Sequence, residues 1–535
     1  APGRSEGRRW VPAQFRGLGG GVRPHVSCEE RPQVRKAFEE ELGFGALREK
    51  LAALPDPDRR AALSLLGLAI GDAAGLPFEL RRGIPARAEY HRLPSEAARR
   101  EHAKQLKVKV ARKQAGECKN VYVRTYSDDT TCCDLKMEAA AQFEQLDEGD
   151  EQLLQRLVLQ QYLKWAHGAK VKEGKGRYGE LFQGTGGFTR DFLVPFSGGR
   201  KNEVAREMGP QPESLYTEHG SWGPFWPTDK YAKFAAEYFR GAFSFPSWGN
   251  GAVMSFAPHP IFAGRWRDAP SRSTAAASVL SMSHQEPTAL MANALLWEIL
   301  DLVYGGQVPS TDSLRSRVAA LMSALELDSR FRDHECIPVA PFREWLENGD
   351  CTVATAEAFL RNLTQSQERF DLAAAAPHGV FGAMLHVAAD WNDDHKSYLK
   401  RPGSQEPVLF SQRGLNSVII AIWAASGAKS PWDAISRVIY VGGDTDTVGA
   451  VAGQIACPLM DPTSVVDSFV DFVALGEAGE GASQVANAAA RRYFHRAVLF
   501  ASRDFAELRR HPSLLDASYP PITGPAMGQE VLVGV

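Results

Sequence analysis

Carboxylates and hydroxyls are concentrated at two points of this chain. One is Ser127-Asp128-Asp129-Thr130; the other, more than three hundred residues later, is Gly442-Gly443-Asp444-Thr445-Asp446-Thr447. Oxygen-only clusters of this kind suit hard divalent cations such as magnesium or manganese, which reject sulfur and rarely need imidazole. In the second cluster two glycines let the backbone turn tightly, and aspartates at i and i+2 can face one ion if the loop curves around it. Four aspartates gathered in a partly buried site without a cation would repel one another strongly. Each cluster also has a plainer reading, because Ser, Asp and Thr are favoured at helix N-caps, where side-chain oxygens accept orphan backbone amides. Four oxygen-bearing residues in succession exceed what one cap can use.

Three further segments carry weaker signals. Gly71-Asp72-Ala73-Ala74-Gly75 reads as a glycine-rich turn, with Glu79 just past Pro77, where the chain cannot stay helical. Ser247-Trp248-Gly249-Asn250-Gly251 suits a loop whose backbone amides face a phosphate or sugar, with Trp248 as a stacking surface; alone it is a generic turn. His284 falls at the end of one helical stretch before Pro287 opens the next, where a histidine most often satisfies a carbonyl or the helix dipole.

The elements that must position these residues read as helices. Apolar periodicity marks Ala61–Ile70, Asp129–Leu146, Glu151–His167, Pro287–Val303, Gly414–Ala425, Asp433–Val441, Thr447–Ile455 and Gly479–Phe505. Ser273–Met282, Thr311–Leu327, Thr352–Leu363 and Gly379–Ala389 look similar. Strand signals are scarce, and an all-α bundle with long loop insertions is the expected fold. The charged stretch 81–125 and the Pro-, Gly- and aromatic-rich stretch 200–247 read as insertions, and 390–407 as a solvated loop. Residues 1–32 read as a disordered or targeting-like leader, 33–515 as the catalytic domain and 516–535 as a tail.

Composition excludes several classes. Hydrophobic content of 44% and charged content of 23% are those of an ordinary globular protein, and a net charge of −3 gives no global pull toward nucleic acid or anionic membrane. The basic run Lys104–Lys113 lacks interleaved aromatics and is expected to be a solvated helical face, so no direct nucleic-acid binding is expected. No run approaches eighteen uninterrupted apolar residues, and no membrane partner is expected. Seven scattered cysteines without a CxxC pair argue against a disulfide framework or zinc site; adjacent Cys132 and Cys133 read as small apolar residues inside a helix. The expected compartment is the cytoplasm, with organelle targeting by the arginine-rich N-terminus as the alternative.

In this order the motifs resemble the ADP-ribosylglycohydrolase family, which includes the dinitrogenase reductase-activating glycohydrolases. The family pattern is a glycine turn with a late Glu, S/T-D-D-T, a G-N-G loop, a helix-end His and G-G-D-T-D-T, found here between about residues 60 and 460. The resemblance implies an all-α fold around a two-metal site. It implies that Ser127, Asp128, Asp129, Asp444, Asp446 and Thr447 hold two magnesium or manganese ions. Glu79 would be a ligand, a mobile gate or the acid/base group, with Asp128 and Asp129 as further proton carriers. Ser247, Trp248, Gly249, Asn250, Gly251 and His284 would line a pocket for ADP-ribose. The implied substrate is an ADP-ribosylated protein or an ADP-ribose-containing small molecule, cleaved at the ribose C1″.

This chain departs from the pattern where Ser255 follows Met254, a place where the family often has Arg, and in its long insertions. The first departure puts substrate preference in doubt. A non-catalytic ADP-ribose-binding or crystallin-like role of the same fold is the rival reading. A metal-dependent phosphohydrolase is weaker, because neither cluster follows a strand and no phosphate-binding loop with Lys is present.

Overall fold

The computed structural model describes residues 43–79, 92–117, 126–144, 249–262, 287–308, 398–400, 407–412, 414–425, 427–474 and 481–511. It also describes isolated positions such as Tyr90, Tyr162 and His284. In chain order the helices are α1 (Phe44–Ala52), α2 (Asp56–Gly75), α3 (Glu96–Glu117), α4 (Asp128–Phe143), α5 (Pro258–Phe262) and α6 (Pro287–Tyr304). They continue with α7 (Gly414–Ala425), α8 (Pro431–Val441), α9 (Thr445–Ala456), α10 (Pro462–Phe469), α11 (Gly481–Ala501) and α12 (Phe505–Arg510). One short antiparallel pair, β1 (Tyr398–Lys400) with β2 (Pro407–Leu409), is present among the described residues. It corrects the loop expected over 390–407. The pairing needs only three residues a side, too few to leave an alternating pattern in the sequence.

The core is organised around α2 and α9. Helix α2 starts with Pro57 and two acidic residues in its first turn, Asp56 and Asp58, which suit the missing amide partners and positive end of a helix. From Ala61 to Gly75 every residue is buried. By length and hydropathy Asp56–Phe78 would pass as a membrane span, but 89% of that window is buried inside the protein, so packing accounts for its apolar character.

The expected glycine turn at 71–75 is absent: α2 continues through Gly75 and gives way only at the 3₁₀ turn Leu76–Phe78. The glycines serve a crossing instead. A Cβ at Gly67 would overlap the carbonyl of Gly453, one at Gly71 that of Gly449, and one at Gly75 that of Thr445. A reciprocal Cβ on Gly449 would come within 2.6 Å of the Gly71 carbonyl oxygen. Small residues four apart on both helices let backbone meet backbone, which sets Asp72 of α2 beside the first turn of α9.

Helix α4 is fixed from the other side. Arg496 of α11 is fully buried and pairs with Asp134 at 2.6 Å and Glu138 at 3.0 Å, two α4 residues one turn apart. Burial opposes that guanidinium charge, and the two carboxylates more than offset it, so Arg496 stays above its ordinary value. Cys132 and Cys133 sit buried in α4, with the Tyr493 hydroxyl 3.4 Å from Cys133 Sγ and 3.0 Å from the Leu65 carbonyl.

Helix α3 corrects the solvated face expected over Lys104–Lys113 at Lys107; the side chains of 108–113 lie outside the described residues. Lys104 lies 2.9 Å from Asp471, and Lys107 is 0% exposed. The helix packs on α2, α11 and the 3₁₀ turn Leu76–Phe78, so one side of a strongly polar helix is interior. The leader 1–32, the insertion 200–247, the tail 516–535 and the helices expected over 273–282, 311–327, 352–363 and 379–389 lie outside the described residues.

Candidate metal centre

Asp72 braces the first acidic turn. Its buried carboxylate accepts the backbone N–H of Ser127 at 2.8 and 3.0 Å, the N–H of Thr130 at 3.0 Å and the Thr130 hydroxyl at 2.6 Å. Ser127 is the N-cap of α4: its hydroxyl accepts the N–H of Asp129 at 3.4 Å and donates to Asp129 Oδ2 at 2.7 Å. The serine thus does the capping, and Asp128 and Asp129 are left in the first helical turn, where the positive helix end favours carboxylates. The other Asp129 oxygen, Oδ1, is buried without a hydrogen-bond partner.

The second acidic turn depends on its glycines. Gly442 and Gly443 both take φ of +78°, a left-handed conformation that ends α8 and reverses the chain into α9. Asp444 holds the N-cap position of α9 but makes no side-chain cap bond. Its carboxylate accepts Asn250 Nδ2 at 2.8 Å, and its backbone N–H donates to Ser411 Oγ at 2.8 Å. The Thr445 hydroxyl donates to the Gly75 carbonyl at 2.8 Å, and Asp446 Oδ1 accepts the N–H of Thr447 at 2.9 Å.

The two turns meet. One carboxylate oxygen from each of Asp72, Asp129 and Asp446 lies within 4.8 Å of the others, and so does one from each of Glu79, Asp444 and Asp446. Asp446 belongs to both groups. Glu79 is half-buried and follows the 3₁₀ turn in an extended conformation, which frees it from the helix. Asp72 belongs to the first group by distance, yet its oxygens already accept four donor contacts, so the hydrogen-bond geometry assigns it to the turn.

Burial dominates the electrostatics. It raises the carboxyls of Asp72, Asp128, Asp129, Asp444 and Asp446 above their ordinary value, against the hydrogen bonds that several of them accept. Asp128 is pushed up to about 7 by burial and by the charges of Asp72 and Asp444. Asp129 is held well above the usual range by burial, Asp72 and Asp128, and Asp446 by burial, Glu79, Asp444 and Asp129. Lys107 faces this cluster: burial pushes it down to about 8, against the opposing pull of Asp72 and Asp446.

Beside the acidic turns runs a loop containing the 3₁₀ turn Asn250–Ala252. Asn250 reaches Asp444, as above, and its Nδ2 is 3.3 Å from the Ser411 carbonyl. His284 is buried against the loop's glycines: a Cβ on Gly251 would lie 2.6 Å from its Cε1, and one on Gly249 would lie 3.3 Å from its Nε2. Asn250 therefore ties this loop to the second acidic turn, and His284 packs against the same loop. Ser247 and Trp248 lie outside the described residues.

The sequence pattern of the ADP-ribosylglycohydrolase family matches residues 53–459. The chain belongs to that family. A solved structure described as an ADP-ribosylglycohydrolase-related protein complex overlays with a TM-score of 0.37 at 16% identity, covering 84% of this chain and 99% of that one. A superposition that loose carries no argument about this chain. No curated protein matches significantly.

The residues of this family member fit a divalent cation. The converging donors are hard oxygens, their mutual spacing suits ligands of a shared ion, and Asp129 Oδ1 is a buried acceptor with nothing to accept. Motif reading missed Asp72 as the brace, Ser411 as the anchor of the Asp444 amide, and Lys107. Asp72 did leave a trace: it is the one charged residue in the buried stretch Ala61–Gly75 of α2, and a carboxylate there demands partners. Lys107 left none, since basic residues surround it in sequence.

Proposed function

We propose that this chain hydrolyses the glycosidic bond at the ribose C1″ of an ADP-ribosyl group, carried by a protein or a small molecule, with two divalent cations, magnesium or manganese. The observation that supports this reading most is the convergence of Asp129 and Asp446, from turns far apart in sequence, to within 4.8 Å. Ser127, Asp128, Asp129, Asp444, Asp446 and Thr447 would hold the ions. When bound, such ions supply Lewis-acid polarisation of a sugar hydroxyl, a water or the leaving group.

The remaining work belongs to side chains. Cleavage breaks the bond from C1″ to its leaving group and forms a bond from C1″ to a water oxygen, through an oxocarbenium-like transition state. The water must lose a proton and the leaving group must gain one. Glu79, the half-buried member of its group, is the proposed carrier. The amides of Gly249–Gly251, with Asn250 and His284, would bind the ADP-ribosyl group, and Ser247 and Trp248 would extend that pocket.

The test is a panel of ADP-ribosyl linkages, to arginine, serine, a nucleic-acid end and a small metabolite, assayed with magnesium, with manganese and with chelator. Release of ADP-ribose from at least one member, lost in chelator and restored by metal, is expected. Turnover that persists in chelator would overturn the metal dependence. Binding of ADP-ribose with no cleavage of any linkage would favour the non-catalytic reading.

A further inference from the structure

Lys136 is buried in the middle of α4, on the helix that begins with Asp128 and Asp129. Its ammonium donates to Ser255 Oγ at 2.7 Å and to the Ser255 carbonyl at 3.1 Å. Both acceptors are neutral. The acidic residues on either side of it, Asp134 and Glu138, point to Arg496 instead. Ser255 is itself fully buried and closes the loop that carries Asn250. His259, one turn beyond, is kept well below its usual value by burial and by the Lys136 charge, which leaves an uncharged imidazole next to the ammonium.

A buried ammonium with neutral partners is a poor choice for stability alone. Its desolvation costs more than hydrogen bonds to a serine return, and burial accordingly lowers Lys136 to about 8. A methionine of similar length would fill the space without that cost. What methionine lacks is direction: two charge-assisted hydrogen bonds fix where Ser255 stands relative to α4. The rest of the loop is tied in the same manner to α9, the helix that follows the second acidic turn. Gln454 of α9 donates to the carbonyls of Met254 at 3.0 Å and Val253 at 3.3 Å, and Asn250 donates to Asp444 at 2.8 Å.

We propose that Lys136 is a positioning residue: through Ser255 it latches the loop Gly249–Ser255 to the helix bearing Asp128 and Asp129, so that the ADP-ribose pocket and the acidic turns keep one relative geometry. The inference rests on the proposed reading of that loop as the ADP-ribose contact. It also gives Ser255 a task, as the acceptor that a basic residue from another helix requires.

The test compares wild type, Lys136→Met and Ser255→Ala by thermal melting, by calorimetric titration with Mn²⁺ and separately with ADP-ribose, and by steady-state kinetics on a linkage the wild type cleaves. For Lys136→Met we expect an unchanged or raised melting temperature and Mn²⁺ affinity within about twofold of wild type. ADP-ribose affinity should fall and KM should rise about tenfold, the factor set by loss of a charge-assisted bond. Ser255→Ala, which keeps the carbonyl acceptor, should lose about threefold. A Lys136→Met protein that melts lower but binds ADP-ribose as well as wild type would show a merely structural lysine and overturn the latch. Should that variant fail to fold, unaltered ADP-ribose affinity in Ser255→Ala would overturn it equally. Wild-type protein that neither binds nor cleaves ADP-ribosyl compounds would instead overturn the proposed function, and no variant is needed to see that.

Discussion

Asp72 illustrates how a carboxylate can serve a candidate metal centre by shaping it. Distance alone groups it with Asp129 and Asp446, but its oxygens are taken by Ser127 and Thr130, residues more than fifty positions away in sequence. Asp72→Asn would keep the shape and turn an amide NH₂ toward backbone donors, so part of the brace is lost. We expect metal affinity to fall about 10–100-fold, as for other outer-sphere partners of metal ligands, with the protein still folded. Titration calorimetry with Mn²⁺ checks this; wild-type affinity would show that the turn holds its shape unaided. Asp129→Ala and Asp446→Ala remove proposed ligands outright and should abolish both metal binding and turnover. The two acidic motifs were legible in sequence because their oxygens are contiguous. Asp72 was not, because its partners come from another part of the chain.

Helices carry the same lesson. Periodicity located α6, α7, α8 and α9 to within two residues, since each buries a broad apolar face. It failed at 71–75, where glycine admits either a turn or a close helix crossing and only the partner helix decides between them. It failed also at α3, whose interior side contains a lysine. The crossing makes a prediction of its own. Gly449→Ala would set a Cβ 2.6 Å from the Gly71 carbonyl, and the displaced backbone is expected to cost about 1–3 kcal/mol. Because that crossing sets Asp72 beside Asp446, Mn²⁺ affinity should fall with stability. Gly45→Ala in α1 is the control: nothing lies within 4 Å of its Cβ, and helix propensity should stabilise it by about 0.5–1 kcal/mol. Urea denaturation of both variants measures the contrast, and equal stabilities would refute a backbone-to-backbone crossing.

A whole-molecule net charge of −3 conceals how unevenly the charge is placed. Five carboxyls raised by burial stand together, and among the described residues Lys107 is a cation that feels their charge. Stability must therefore depend on pH in an unusual direction. A carboxyl raised in the folded state binds more protons there than in the unfolded chain, so its contribution is complete below the unfolded value and is lost as pH rises through the folded one. For Asp128 the window runs from the ordinary 3.8 to about 7, and Asp129 and Asp446 shift in the same direction. In chelator the melting temperature should fall across that window. Metal competes with those protons for the same oxygens, so the rise in melting temperature on adding Mn²⁺ should be small at the acid end and large near neutrality. Paired melts across the window, with chelator and with Mn²⁺, measure both curves. If they run parallel, protons and metal are not competing for these oxygens, and the acidic turns do not form a cation site.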